Sequence, residues 1–282
     1  MPHPVSFPLY SPRLNRKETR VNYTLTEWLN LAFRWTHVFA AIMWVGQTFL
    51  FTWLDHTLSK EGQVWMVHSG GFYIVDKQKV PEMLPKTLHW FKWEAAITWL
   101  SGVSLFILLY YAGGLISAGN PLELTNMQAI GISLASIVVG WFIYDMLWIS
   151  PLANRWNVAV VISYALLVGA IYGFAHIFSG RAAYLQTGAL LGTFMAFNVW
   201  VRILPAQRAL IAAVKAGQQP NMMLAERAKN RSTHNTFMVV PVVFMMLSNH
   251  FPVATYGHAQ NWIILAGLVL VGWVVAHLIR SH

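Results

Sequence analysis

The chain has 282 residues, of which only 10% are Asp, Glu, Lys or Arg and 56% are hydrophobic, with a mean hydropathy of +0.49. A soluble globular protein carries about a quarter charged residues, so the polar side chains are too few to cover a water-facing surface of this size. That sets aside a soluble enzyme, a nucleic-acid-binding domain and a disordered chain. The net charge of +9 comes from basic residues lying between long apolar runs, which is how membrane topology is signalled. Cysteine is absent, which excludes disulfides, thiolate metal ligands and c-type haem attachment on this chain.

Residues 1–26 include Pro2, Pro4, Pro8 and Pro12 and no apolar run. They read as an extended proline-rich arm, not a signal peptide. Residues 27–282 read as one transmembrane helical domain. Seven stretches reach spanning length: Trp28–Trp53, Trp93–Tyr111, Met127–Ile149, Trp156–Phe178, Ala182–Leu204, Ser232–Phe251 and Ala259–Ile279. The connection Leu54–Lys92 has an apolar part too short to span, expected as an interfacial or re-entrant piece bent at Ser69-Gly70-Gly71. Pro205–Arg231 is a polar, amphipathic connection. Pro241 bends the sixth span.

An odd number of spans puts the termini on opposite sides. Lys60, Lys77, Lys79, Lys86, Arg155 and the basic residues from Arg208 to Arg231 fall on the C-terminal side. Arg13, Arg16, Lys17, Arg20 and Arg181 fall on the other. The imbalance favours N-out, C-in. The fold expected is therefore all-α: a polytopic bundle of about seven transmembrane helices.

Ionisable groups inside hydrocarbon are costly and so mark candidate sites. Arg34 and His37 share one face of the first span, an arrangement suited to an axial haem ligand with an arginine beside a propionate or another anion. His234 and His250 lie sixteen residues apart on the sixth span, about 24 Å, too far to share one iron. His176 and His250 fall in the outer half and His89 and His234 in the inner half. That pattern reads either as a two-haem path or as one haem with interfacial histidines. His37, His234 and His250 are the leading metal-ligand candidates. Asp55 and Asp145 read as imbalanced charges that orient imidazoles, carry protons or pair with cations such as Arg202. Arg181, after Ser179-Gly180 at an outer turn, suits an anionic group. Gly46, Gly169, Gly173, Gly188 and Gly192 read as sites of close helix packing.

Several blocks carry a resemblance. Arg34-Trp35-Thr36-His37-Val38, Ile42-Met43-Trp44-Val45-Gly46 and Trp53-Leu54-Asp55 lie in the first span. Val67 to Tyr73 and Leu88 to Glu94 follow. Further on come Phe178-Ser179-Gly180-Arg181-Ala182-Ala183, Ile203 to Arg208, Arg231 to Thr236 and Met246 to Pro252. Together these resemble the membrane domain of the PuuD-type urate hydroxylase, or cytochrome-linked urate oxidase, family. The resemblance implies a bacterial inner-membrane protein that oxidises urate to 5-hydroxyisourate. It also implies one or two haem b groups held by His37, His89, His176, His234 and His250, with electrons passed to a cytochrome c. It places Arg34, Arg181 and Asp55 among the catalytic candidates. The C-terminal cytochrome c domain common in that family is lacking here, so a separate cytochrome c is the expected partner, and Gln186 stands where the family pattern has a histidine. Two other readings remain open: a non-catalytic haem-bearing or structural subunit of a larger respiratory or photosynthetic complex, and a haem- or copper-handling transporter.

Overall fold

A computed structural model of the chain describes the backbone of residues 16–281 and the side chains of residues 24–281. The arm expected over 1–26 lies outside the described residues as far as residue 15; from Arg16 the backbone is already helical. Eight α-helices follow: α1 Arg16–Glu61, α2 Trp93–Phe106, α3 Asn126–Ile149, α4 Trp156–Ile177, α5 Gly180–Phe197, α6 Leu204–Lys215, α7 Met222–Leu247 and α8 Asn261–Ser281. Two π-helical stretches, Ile107–Ala112 and Asn198–Ile203, continue α2 and α5. Six helical segments among the described residues are long and apolar enough to cross a membrane. α7 spans 26 residues but carries a polar stretch through Arg227, Lys229 and Arg231. The molecule is thus a largely helical bundle of the polytopic membrane kind.

The boundaries have local causes. Thr125 caps α3 by accepting from the Gln128 N–H, while the Gln128 side chain accepts from the Thr125 N–H at 3.0 Å, a reciprocal capping box. Asn221 caps α7 in the simpler way, accepting from the Met223 N–H at 3.0 Å.

The connection after α1 is a β-hairpin: β1 Gln63–His68 pairs antiparallel with β2 Gly71–Asp76. It replaces the re-entrant piece expected there. Ser69 and Gly70 have φ of 51° and 74°, both left-handed, as a two-residue primed turn requires. The bend was therefore expected at the right residues but in the wrong structure. The short β-branched and aromatic run Val64-Trp65-Met66-Val67, bounded by Gly62 and by Ser69-Gly70-Gly71, is the strand signal.

The bundle is organised around α5. In the apolar window of the α5-containing segment Gly180–Lys215, 56% of residues are buried, against 11% in that of Thr24–Glu61. α3, α4 and α7 pack on α5, and α8 packs on α7 and α4. α1 pairs chiefly with α2, and Phe51 meets Phe91 edge-on at 4.8 Å just before α2 begins. Large apolar side chains stay exposed along the outside, among them Trp35, Phe39, Phe142 and Val161. So much bare apolar surface is the mark of a protein solvated by lipid.

Close helix approach falls on glycines other than most of those expected. A Cβ on Gly102 would meet His37 Cε1 at 2.8 Å, and one on Gly272 would meet Pro241 Cδ at 2.9 Å. Of the five glycines singled out in the sequence, only Gly188 is tight, with Met246 Cε at 3.0 Å; nothing lies within 4 Å of Gly46, Gly169, Gly173 or Gly192. Pro241 is thus received by a glycine of α8, which explains its tolerance in α7.

Candidate functional site

Two polar layers stand near opposite ends of the bundle. One layer joins α3, the π stretch after α5, and α7. Asp145, 6% exposed, sits near the end of α3 and is bracketed by two guanidinium groups. Arg202 Nε donates to Asp145 Oδ1 at 2.9 Å, and its other nitrogen pairs with Oδ2. Arg231, 4% exposed, donates to Asp145 Oδ1 at 2.8 Å. A buried carboxylate holding two cations is stable only when its lone pairs are used this fully. The wider i→i+5 turn of Asn198–Ile203 brings both Asn198 and Arg202 to this layer, and such bulges recur at functional sites.

The rest of the layer follows from donor and acceptor roles. Arginine can only donate, so Asn198 turns Oδ1 to Arg231 at 3.4 Å. Its Nδ2 then donates to Tyr144 Oη at 2.8 Å and to Asn235 Oδ1 at 2.9 Å. Tyr144 Oη lies 2.8 Å from His234 Nδ1. The arrangement that gives the hydroxyl hydrogen an acceptor has Tyr144 donating to Nδ1, which puts the His234 proton on Nε2. His234 is buried between Trp148 and Trp156, with ring centroids at 4.1 and 5.5 Å, and its Nε2 has no partner.

At the other end, Arg181 opens α5, donating from Nε to Asn249 Oδ1 at 2.8 Å. Arg34 donates to Asn30 Oδ1 at 2.9 Å within α1. The Tyr110 side chain is buried at this end, and its hydroxyl has no hydrogen-bond partner. Arg34 and Arg181 are themselves exposed and turned to this end. The third member of the expected catalytic set, Asp55, pairs with Lys77 of the chain after β2. It lies 21 residues beyond Arg34 on α1, about 32 Å along the axis, and so belongs to the opposite end.

The histidines are scattered. His37 Nδ1 donates to the Thr98 carbonyl at 2.8 Å and lies 3.3 Å from Ser101 Oγ, clamping α1 to α2 over Gly102. His176, exposed on α4, bonds back to the Tyr172 carbonyl at 2.7 Å. His89 stacks edge-on with Phe91 at 4.6 Å, ahead of α2. His250 is exposed in a short 3₁₀ turn after α7. The expected haem b centre, and with it the iron and metal-binding assignment to His37, His234 and His250, is therefore corrected. Among the described residues no group of three or more His, Cys, Asp or Glu could hold a metal ion, and there is no cysteine. The five imidazoles occupy separate neighbourhoods, each built from its own local partners, so this donor set does not fit the group expected.

Gln186 is fully buried and fully used. Its Nε2 donates to the Ser133 carbonyl at 3.0 Å and to Ser136 Oγ at 2.9 Å, while Oε1 accepts from Ser133 Oγ at 2.7 Å. It is a structural tie between α3 and α5. Arg231, Asn198 and Asn235 were missed in the sequence. For Arg231 and Asn235 the available signal was Arg231 standing one turn before His234-Asn235, which puts Arg231, His234 and Asn235 toward one side of α7.

The family described as Urate oxidase N-terminal matches residues 23–282 of the chain. No curated protein and no solved structure gives a match. The matched region runs from within α1 through α8, and the chain belongs to the Urate oxidase N-terminal family, as a urate-oxidase-like multi-pass membrane protein.

Proposed function

We propose that the protein oxidises urate or a closely related purine at the membrane, in a bacterial inner membrane with N-out, C-in orientation, and that the electrons leave to a separate cytochrome c. The observation that carries this reading is the buried Tyr110 hydroxyl, without a hydrogen-bond partner, at the end of the bundle that also carries the exposed Arg34 and Arg181. Urate at neutral pH is a planar anion, and two guanidinium groups beside a hydroxyl suit its ring oxygens. Under this orientation that end faces outward, where an external cytochrome c is reached, and the inner layer of Asp145, Arg202 and Arg231 lies on the side favoured for positive charge. Family membership supports the substrate class.

The reaction balances without further reagents. Urate and water give 5-hydroxyisourate, two protons and two electrons, and each electron reduces one ferric cytochrome c. The residues of this chain contribute binding and orientation: Arg181, held by Asn249, fixes one edge of the anion; Arg34 meets the other; Tyr110 supplies a hydroxyl free to donate or accept.

The test is urate-dependent reduction of added cytochrome c by membranes containing the protein. Wild-type membranes are expected to reduce it, and Arg181→Gln to lower the rate at least tenfold with normal protein levels. No urate-dependent reduction by folded wild-type protein, or an unchanged rate in the variant, overturns the proposal and favours the non-catalytic membrane subunit.

A further inference from the structure

A cavity of about 470 Å³ lies between α3, α4, α5, α7 and α8, within the roughly 300–1,000 Å³ typical of small-molecule sites. Leu190 and Phe194 of α5 form its floor, and Trp148, Trp156 and His234 form one end. α3 and α4 touch each other little, and the residues on the facing flanks of this gap, Val139, Ile143 and Leu166, are about half exposed. In a bilayer that gap opens to lipid.

The buried polar groups of the lining are spent, with one exception. Ser136 Oγ donates to the Ser133 carbonyl at 2.8 Å, and Ser163 Oγ donates to the Ala159 carbonyl at 2.8 Å. Trp148 Nε1 donates to Ser163 Oγ at 3.1 Å. Tyr144 gives its hydrogen to His234. What remains is the Nε2–H of His234, 8% exposed and without an acceptor. A buried donor left unmade costs about 1–3 kcal/mol, and a site whose one buried unpaired group is a donor favours a ligand that brings an acceptor such as a carbonyl. Flat aromatic walls select a flat ring over an acyl chain.

We propose that this cavity binds the headgroup of an isoprenoid quinone entering from the bilayer between α3 and α4, with one quinone carbonyl accepting the His234 Nε2–H. The proposal goes beyond the urate reading and does not depend on it. The chain Arg231–Asn198–Tyr144 holds the imidazole in the donating tautomer, so the inner polar layer acts as a positioning device for this one N–H. Gly173 keeps the cavity open: nothing lies within 4 Å of a Cβ placed there.

The experiment uses the full chain in nanodiscs of quinone-free phospholipid and needs no urate. Decylubiquinone, ¹³C-labelled at its carbonyls, is titrated while tryptophan fluorescence and the carbonyl infrared band are followed. Saturable quenching is expected, with a downshift of one carbonyl band. His234→Phe is expected to weaken binding at least tenfold and to abolish the downshift. Gly173→Leu, which leaves the hydrogen-bonded layer untouched, is expected to abolish quenching while the helical signal stays at wild-type level. No saturable quenching by the folded wild type, or wild-type binding in Gly173→Leu, overturns the proposal. So does equal competition by a saturated fatty acid.

Discussion

The α1–α2 pair and the α3–α5–α7 centre solve the same problem differently. Both place ionisable groups in a membrane bundle. In the outer pair, His37 is satisfied by a neighbouring backbone carbonyl and Arg34 by an asparagine one turn away. Each group is settled by one or two partners, and no chain of bonds runs on from it. In the centre, Asp145, Arg202, Arg231, Asn198, Tyr144 and His234 are linked, so each group's role is fixed by the next. Local satisfaction leaves α1 free to face lipid; linked satisfaction makes the centre rigid and gives it one defined free donor. Buried polar networks carry this high stake because a single break strands several groups at once.

The largest effect separating the two regions is expected at Asp145. Asp145→Ala leaves Arg231 buried and unpaired and should destabilise the protein by about 3–5 kcal/mol, read as thermal unfolding in detergent. A loss no greater than that of a surface substitution would erase the contrast. In the outer pair, Gly102→Val drives a side chain into the His37 ring, and the repacking should cost about 1–3 kcal/mol. The same assay checks it, and the α1–α2 crossing is expected to loosen without disturbing the α5 core. The smallest effect belongs to Lys77→Ala. Lys77 and Asp55 have side chains 51% and 43% exposed, and an exposed pair is worth about 0–1 kcal/mol. A marked loss there would show that the hairpin end is held more tightly than its exposure implies.

These contrasts also explain what was legible in the sequence. The spans were legible because hydrocarbon demands long uninterrupted apolar runs: Asn126–Ile149 and Trp156–Ile177 fall within a residue of the segments expected. Gly180 and Asn261 open α5 and α8 within two residues of their expected starts. The hairpin was misread because a six-residue, mostly apolar strand is a weak signal beside a bilayer reading. The haem centre was misread because residue type is visible in sequence while convergence is not. His37 bonds across to Thr98 of α2 and His176 back to Tyr172 of its own helix, and nothing in the spacing of the histidines says whether they meet. Asp145 with Arg202 was within reach as a helix-end pair, but Arg231 was hidden in a run of charged residues that looked like a connection. Its burial depends on α7 continuing unbroken from Met222, which a polar stretch does not announce. The two arginines of the proposed anion site were legible, and their place at one end followed from the order of the spans; the burial of Tyr110 beside that end was not legible.

The central claim is that the Arg34–Arg181 end is a purine-anion site. Equilibrium binding of radiolabelled urate to the purified protein tests it most directly, with Arg34→Gln and Arg181→Gln beside Lys77→Ala as a control at the opposite end. Saturable binding, weakened at least tenfold in each arginine variant and unchanged in Lys77→Ala, is the predicted result. Absence of saturable binding by folded wild-type protein, or equal affinity in all three variants, would contradict the account.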